Sequence, residues 1–306
     1  MKILISGGSG FIGSELVKRL IDEHYEVLLL TRNPGNVKLP QHPLLKILEW
    51  DGKTLGKWSD SVNEIDVIVN LAGENVSSKR WSKKQKVKLR ESRIGPTSLL
   101  IKAITNAARK PKILINASAV GYYGSFGVGD VTEDYPKGDG FLADLCNEWE
   151  QKALEAETMG VRVVILRFGV VLESSGGAMK KLLLPFKFYL GGTIGSGKQW
   201  FPWIHRDDVI NVILFTLRNN SLRGPINVVS PTPVTMKEFA YSIGKALNKP
   251  SWMPIPSLIL KLIFGEMSEV LIGGRRIIPM KLLDSGFKFQ YGNLKEALND
   301  IIMKNE

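Results

Sequence analysis

Cysteine is almost missing from this 306-residue chain: Cys146 stands alone, which excludes an internal disulfide framework and a cysteine-rich metal site. Histidine is nearly as scarce. His24, His42 and His205 lie far apart in sequence, so no histidine-based metal site is expected. Long apolar runs are missing too. The most apolar stretch, Leu258-Ile259-Leu260-Lys261-Leu262-Ile263-Phe264, is far too short to span a bilayer, and no membrane partner is expected. Internal repeats and low-complexity segments are absent. Because an apolar strand already occupies Lys2–Ser6, no leader is expected, and the cysteine usage suits a reduced, cytoplasmic compartment. Acids are outnumbered, 30 against 41 basic residues, for a net charge of +11. The excess is concentrated between Lys79 and Arg93, where eight basic residues meet one acid, Glu91. Such a run reads as a solvated helix face, with Arg93 as a candidate for a phosphate-facing role. Nucleic acid is not an expected partner, because Trp81 is the only stacking surface in that run.

What is present is a regular alternation. Apolar runs at Lys2–Ser6, Glu26–Leu30, Leu45–Glu49, Val67–Leu71, Ile113–Ala117, Arg162–Arg167 and Ile226–Val229 read as strands. Several are β-branched with little polar alternation, as strands buried on both faces of a parallel sheet should be. Helical patterns fall between most of them, at Phe11–Glu23, Thr97–Arg109, Phe141–Met159 and Arg206–Arg218. The rhythm predicts an α/β fold: a Rossmann-type, doubly wound parallel sheet. Beyond Val170 it loosens into glycine- and proline-rich segments and the helices Thr235–Leu247, Ser257–Phe264 and Asn293–Met303. The expected division is residues 1–170 as the dinucleotide-binding domain, with its sheet completed by 205–230. Residues 171–204 and 231–306 would form a smaller, discontinuous C-terminal substrate lobe.

The first strand runs into Gly7-Gly8-Ser9-Gly10-Phe11-Ile12-Gly13, which opens the first helix. A glycine-rich turn between a strand and a helix presents backbone N–H groups and a partial positive charge to phosphate. Gly7, Ser9, Gly10, Phe11, Ile12 and Gly13 are therefore candidate cofactor residues. At the end of the second strand, where the adenosine ribose sits in a dinucleotide site, an acid would favour NAD. Thr31 and Arg32 stand there instead, and an arginine pairs with a 2′-phosphate, so the expected cofactor is NADP(H). Asp51 after the third strand is a candidate acceptor for the adenine amino group. Leu71, Ala72 and Gly73 at the end of the fourth let the backbone approach the cofactor.

The fifth strand leads into Ser118-Ala119-Val120-Gly121-Tyr122-Tyr123-Gly124. Together with the glycine loop and Asn70-Leu71-Ala72-Gly73, this resembles the extended short-chain dehydrogenase/reductases. Further segments narrow the likeness: Arg80-Trp81, Ser92-Arg93, Arg167-Phe168-Gly169-Val170-Val171-Leu172, the stretch Gly195 to His205, and Pro231-Thr232-Pro233-Val234-Thr235. These are similar to an atypical branch, the "epimerase family" proteins of the NAD-dependent epimerase/dehydratase superfamily, with its characteristic C-terminal segment from about Pro250. The resemblance implies contacts to NADP(H) from Thr31, Arg32, Leu71, Ala72, Arg93 and Val170, with Lys88 less clearly implied.

Typical members of that superfamily carry Tyr-x-x-x-Lys on the helix after the fifth strand, as acid/base and its activator. Here that helix reads Phe141-Leu142-Ala143-Asp144-Leu145, with neither residue. Tyr241 with Lys245 and Tyr291 with Lys295 match the string but fall in the wrong part of the chain. The candidate catalytic residues are Ser118, Tyr122, Tyr123 and His205, with Glu133, Asp134 and Asp144 as further carboxylate bases. The stretch Lys198–Arg206, rich in Trp, Gln, His and Arg, reads as the lid of a small-molecule pocket. One reading is an NADP(H)-dependent oxidoreductase or epimerase with non-standard acid/base groups, acting on a small substrate such as a sugar nucleotide. The alternative is a non-catalytic NADPH-binding regulatory or sensor protein. Either would be a monomer or a homodimer. A closed pocket with an acid/base group beside the nicotinamide favours the first, and a filled face there favours the second.

Overall fold

Lys2–Ser6 forms β1 at the centre of a seven-stranded sheet, and every strand in that sheet is parallel to its neighbours. A computed structural model describes residues 1–303 other than Ser175 and Ala178; residues 304–306 of the expected lobe lie outside the described residues. From β1 the chain runs through α1 (Gly13–Asp22), β2 (Glu26–Thr31), β3 (Leu45–Glu49), β4 (Val67–Asn70), α2 (Lys83–Asn106) and β5 (Ile113–Ala119). It continues through β6 (Asp130–Val131), α3 (Phe141–Leu154), β7 (Arg162–Phe168), β8 (Val170–Leu172), α4 (Met179–Lys187), β9 (Trp200–Phe201) and β10 (Trp203–His205). Then come α5 (Arg206–Arg218), β11 (Gly224–Val228), β12 (Val234–Thr235), α6 (Met236–Ala246), α7 (Ser257–Phe264) and α8 (Glu269–Ile272). The described chain closes with β13 (Arg276–Ile277), α9 (Met280–Asp284) and α10 (Leu294–Met303).

The central sheet has the order β11-β7-β5-β4-β1-β2-β3. Chain direction along the sheet reverses between β1 and β4, and a doubly wound sheet opens its ligand crevice at the carboxyl ends of such a pair. The two faces of the sheet fill two cores. Ile3, Ile5, Val69 and Ile115 pack with α1 and α5, while Leu4, Ile68, Leu114 and Ile165 pack beneath α2 and α3. Each such side chain contributes about 1.5–3 kcal/mol on burial. A third core draws on residues 172–203 and 236–301, including Phe186, Trp203, Phe239 and Leu298. Residues 276–289 depart from the expected lobe. β13 pairs with β6, and Leu282 and Phe287 join the first core against the main sheet. Cys146 is buried, and its surroundings push its thiol up to about 11, out of the reactive range.

Three expected elements differ. The helix expected over 97–109 begins at Lys83, because the Ser82 side chain caps it by accepting from the Gln85 amide at 3.2 Å; Pro96 lies inside it. The helix expected over 141–159 tightens into a 3-10 turn at Glu155 and ends on left-handed Gly160. The expected lid at 198–206 is built into the framework instead. β9 pairs with β12, β10 pairs with β8, and Phe201, Trp203, Ile204 and His205 are buried. The cavity beside it measures about 10 Å³, about what one water needs.

Candidate dinucleotide site

The turn between β1 and α1 is compressed from three sides. Gly7 has φ +74°, and a Cβ there would lie 2.6 Å from the Leu71 carbonyl carbon. A Cβ on Gly13 would lie 2.4 Å from the Gly7 oxygen, and one on Gly8 2.2 Å from Leu29 Cδ1. No side chain fits at these positions, so the glycines bring β1, β4 and α1 into contact at one point. The Gly10 amide donates to Gly7 O at 3.0 Å and the Ser14 amide to Gly10 O at 2.9 Å. The N-cap, Ile12, offers no side-chain acceptor, so no capping side chain competes with an anion at the start of α1. Ser9 and Gly10 are exposed there. Phe11 is pinned by the loop after β8, where a Cβ on Gly176 would lie 2.8 Å from its ring.

Around this cradle the other cofactor candidates sit at carboxyl ends of strands. Thr31 ends β2 buried, with its hydroxyl 3.4 Å from the Asn33 amide. Arg32 is exposed and forms no ion pair among the described residues. Asp51 follows β3 but is engaged locally. Its carboxylate accepts from the amides of Lys53 and Thr54 at 2.8 and 2.9 Å and from the Thr54 hydroxyl at 2.8 Å. Those bonds, the Lys53 amide first, hold it below the usual carboxylate range. Leu71 and Ala72 are half-buried against Gly7, and Gly73 is exposed beside Arg93.

Arg93 clamps the backbone after β4. It donates to Glu74 O at 2.9 Å and Leu89 O at 3.0 Å, with its guanidinium centre 5.2 Å from the Trp149 ring. Burial lowers its pKa. Val170 lies half-buried in β8, its amide donating to Pro202 O at 2.7 Å. Lys88 pairs with Glu74 at 3.1 Å on the surface. The remaining basic run divides in the same way: Lys86 pairs with Glu266 and Arg90 with Glu148.

The catalytic candidates do not converge on a substrate position. Ser118 is buried and donates to Glu150 Oε1 at 2.6 Å. Glu150 in turn receives Arg167 through two bonds, at 2.9 and 2.7 Å. Arg167 continues to the Tyr123 hydroxyl at 2.8 Å, and that hydroxyl donates to Asn227 Oδ1 at 2.7 Å. Tyr123 is fully buried, and its surroundings, desolvation foremost, push the phenol up to about 12. The structure thus places the Tyr123 hydroxyl inside the framework, bonded to Arg167 and Asn227. Tyr122 is half-buried, with the Arg167 guanidinium stacked 3.5 Å from its ring centre.

His205 is likewise placed in the framework. It is fully buried, its Nδ1 accepts from the Asp207 amide at 3.1 Å to cap α5, and its Nε2 lies 3.2 Å from Asp300 of α10. Ligand atoms of His205, Asp207 and Asp300 lie within 4.8 Å of one another, a proximity that sequence spacing hid. In this arrangement the histidine joins α5 to α10. Glu133 is buried and accepts from the amides of Asn227 and Lys281, its pKa raised by burial. Asp144 is exposed and pairs with Lys137 at 2.6 Å, and Asp134 is exposed.

The start of α3, where the Tyr-x-x-x-Lys string is expected, packs apolar side chains. Phe141 stands edge-on to Trp81 at 5.3 Å, and Leu145 is buried with Leu89 and Met267 in the same cluster. Met267 comes from the C-terminal segment, so that segment packs against α2 and α3 at this cluster.

Sequence reasoning also missed the polar ladder that sets the strand ends. Ser6 donates to Asn70 Oδ1 at 2.6 Å, and Asn70 donates to Asn116 at 2.6 Å and to Thr97 at 2.8 Å. Trp149 Nε1 reaches the same Thr97 hydroxyl at 2.9 Å. The signal was available: asparagines ending otherwise apolar strands are buried polar groups that need partners.

A parallel sheet reversing at β1/β4, with a glycine cradle at the reversal and strand ends open around it, defines a Rossmann-type dinucleotide-binding protein of the extended short-chain dehydrogenase/reductase class. The chain belongs to the NAD dependent epimerase/dehydratase family, whose pattern matches residues 3–229; residues 255–301 match a domain of unknown function, DUF1731. It is 39% identical over 300 residues to the epimerase family protein SSP1921 of Staphylococcus saprophyticus, covering 98% of both chains. It is 38% identical over 307 residues to the Arabidopsis thaliana chloroplastic homolog of epimerase family protein SDR39U1, covering 99% of this chain and 87% of that one. The crystal structure of human epimerase family protein SDR39U1 (isoform 2) with NADPH superposes with a TM-score of 0.85 at 34% identity, covering 99% of each chain. Among the described residues, no helix is long and apolar enough to cross a membrane.

Proposed function

We propose that this chain binds NADP(H), with the diphosphate at the Gly7–Gly13 turn and the 2′-phosphate at Arg32. The observation that carries the reading is the exposed guanidinium of Arg32 just after β2, which forms no ion pair among the described residues, where no acid stands to receive a ribose hydroxyl. The NADPH in the human relative's structure supports it. Bound NADP(H) supplies hydride chemistry at its nicotinamide. This chain's own residues would orient it: the turn amides meet the phosphates, Leu71 and Ala72 present backbone, and Val170 presents an apolar edge. Thr31 would lie beneath the ribose.

Regulatory or sensor binding is the function that fits best. Ser118, Tyr123 and His205 are occupied in the framework, and Phe141 and Leu145, at the start of α3, pack in an apolar cluster. The second reading, an NADP(H)-dependent oxidoreductase or epimerase acting on a small substrate, rests on Tyr122, whose ring remains half-exposed at the end of β5. It requires NADPH absorbance to fall in a panel of carbonyl substrates and that loss to vanish in Tyr122→Phe.

Arg32→Ala tests the cofactor assignment. Removing a charge-assisted contact worth about 1.5–3 kcal/mol should weaken NADPH binding roughly 10- to 100-fold and leave NADH binding nearly unchanged. Calorimetric titration of both cofactors reads this directly. Equal losses for the two would sink the 2′-phosphate assignment.

A further inference from the structure

Apolar side chains exposed on the surface are not scattered. Of nineteen large ones among the described residues, nine fall in two short stretches, 184–190 and 252–262. Phe188 is 67% exposed, Trp252 64%, Leu258 68% and Leu262 70%. The stretches are joined: Trp252 Nε1 donates to Tyr189 O at 3.1 Å, and the Trp252 amide to Gly191 O at 3.1 Å. On α7, Leu260 is buried in the third core, which turns Leu258 and Leu262 outward. Clustered exposure of this kind marks an interaction surface.

Charge selects the occupant. No aspartate or glutamate occurs from Ser174 to Arg206, nor from Phe239 to Gly265. The charged side chains described among the apolar ones are lysines: Lys187, Lys249 and Lys261, with Lys249 Nζ 3.7 Å from the centre of the Tyr189 ring. The next acid, Glu266, is already paired with Lys86. Acid-free stretches of exposed leucine, phenylalanine, tryptophan and lysine complement anionic headgroups over acyl chains. A second copy of this chain would bring lysine against lysine.

We propose that the surface formed by residues 184–190 and 252–262 rests on the face of an anionic lipid bilayer, without crossing it. The expectation of no membrane partner came from the shortness of the apolar runs, and that argument bears on spanning alone.

The test is co-sedimentation of the full chain, with NADPH present, against phosphatidylcholine vesicles and vesicles that also contain phosphatidylglycerol. The chain should sediment with the anionic vesicles, be released by salt, and bind the neutral vesicles far less. Leu258→Glu with Leu262→Glu should reduce sedimentation about tenfold or more, because burial of two leucines is lost and two like charges face the lipid. The same variant should keep its NADPH affinity, which shows that it is folded. Phe188→Glu, in the other stretch, should act in the same direction. Three results would overturn the proposal: sedimentation with neither vesicle, sedimentation unaffected by the paired substitution in a folded variant, or ultracentrifugation showing a dimer that the substitution dissociates.

Discussion

Glu150→Ala should lower the stability of the folded chain by about 3–5 kcal/mol, the cost of leaving a buried partner charge uncompensated. Arg167 is 3% exposed and Glu150 is equally buried. The pair is bidentate, and it holds Ser118 on one side and Tyr123 on the other. Without the carboxylate, a guanidinium remains between α3 and β7, received by the Tyr123 hydroxyl, the Glu133 carbonyl and the Tyr122 ring. Glu150→Gln keeps the shape and an acceptor for Ser118, and should fall between wild type and alanine. Removing both charges together, Glu150→Leu with Arg167→Met, should recover much of the loss. Denaturant midpoints of the four proteins measure this. A loss below about 1 kcal/mol for Glu150→Ala would place the pair among ordinary surface ion pairs, contrary to its burial.

Gly13→Ala should weaken NADPH binding more than about 100-fold, as expected if two charge-assisted amide contacts are lost together. The added Cβ meets Gly7 O at 2.4 Å and Gly8 Cα at 2.5 Å. Both neighbours are backbone, so no side chain can swing aside and the turn itself must open. Opening it moves the amides away from the position at which they converge on phosphate. Gly95→Ala is the control. Its nearest neighbour is Gly52 O at 3.8 Å, an ordinary contact, and it lies within α2. Alanine there should leave binding unchanged and stabilise the helix by up to about 1 kcal/mol. Equal affinity of Gly13→Ala and wild type would mean that the turn does not hold the cofactor.

The sheet was legible because its information is local. β-branched runs separated by amphipathic helices announce a parallel sheet, and each of the seven expected strands lies in it with ends shifted by no more than two residues. The glycine cradle was equally legible, since strand, turn and helix are contiguous in sequence. The polar machinery was not. Ser118 meets Glu150 across 32 residues and Arg167 meets Glu150 across 17, on elements whose facing sides only the packed fold defines. Tyr123 and His205 looked available because each follows or ends a strand near the crevice; burial assigned them to Asn227 and Asp300. The stretch Lys198–Arg206 looked like a lid, but its strand partners, among them Val170 and Val234, lie outside any local pattern. The start of α2 was obscured by Gly95-Pro96, which reads as a helix break although the helix runs through it.

We propose that the strand ends around Gly7–Gly13 select a 2′-phosphorylated dinucleotide and hold it. Calorimetric titration of the unaltered chain with NADPH and with NADH tests it most directly. NADPH should bind at least about tenfold more tightly, the lower bound of what one charge-assisted contact at Arg32 supplies. Equal affinities, or tighter binding of NADH, would contradict it.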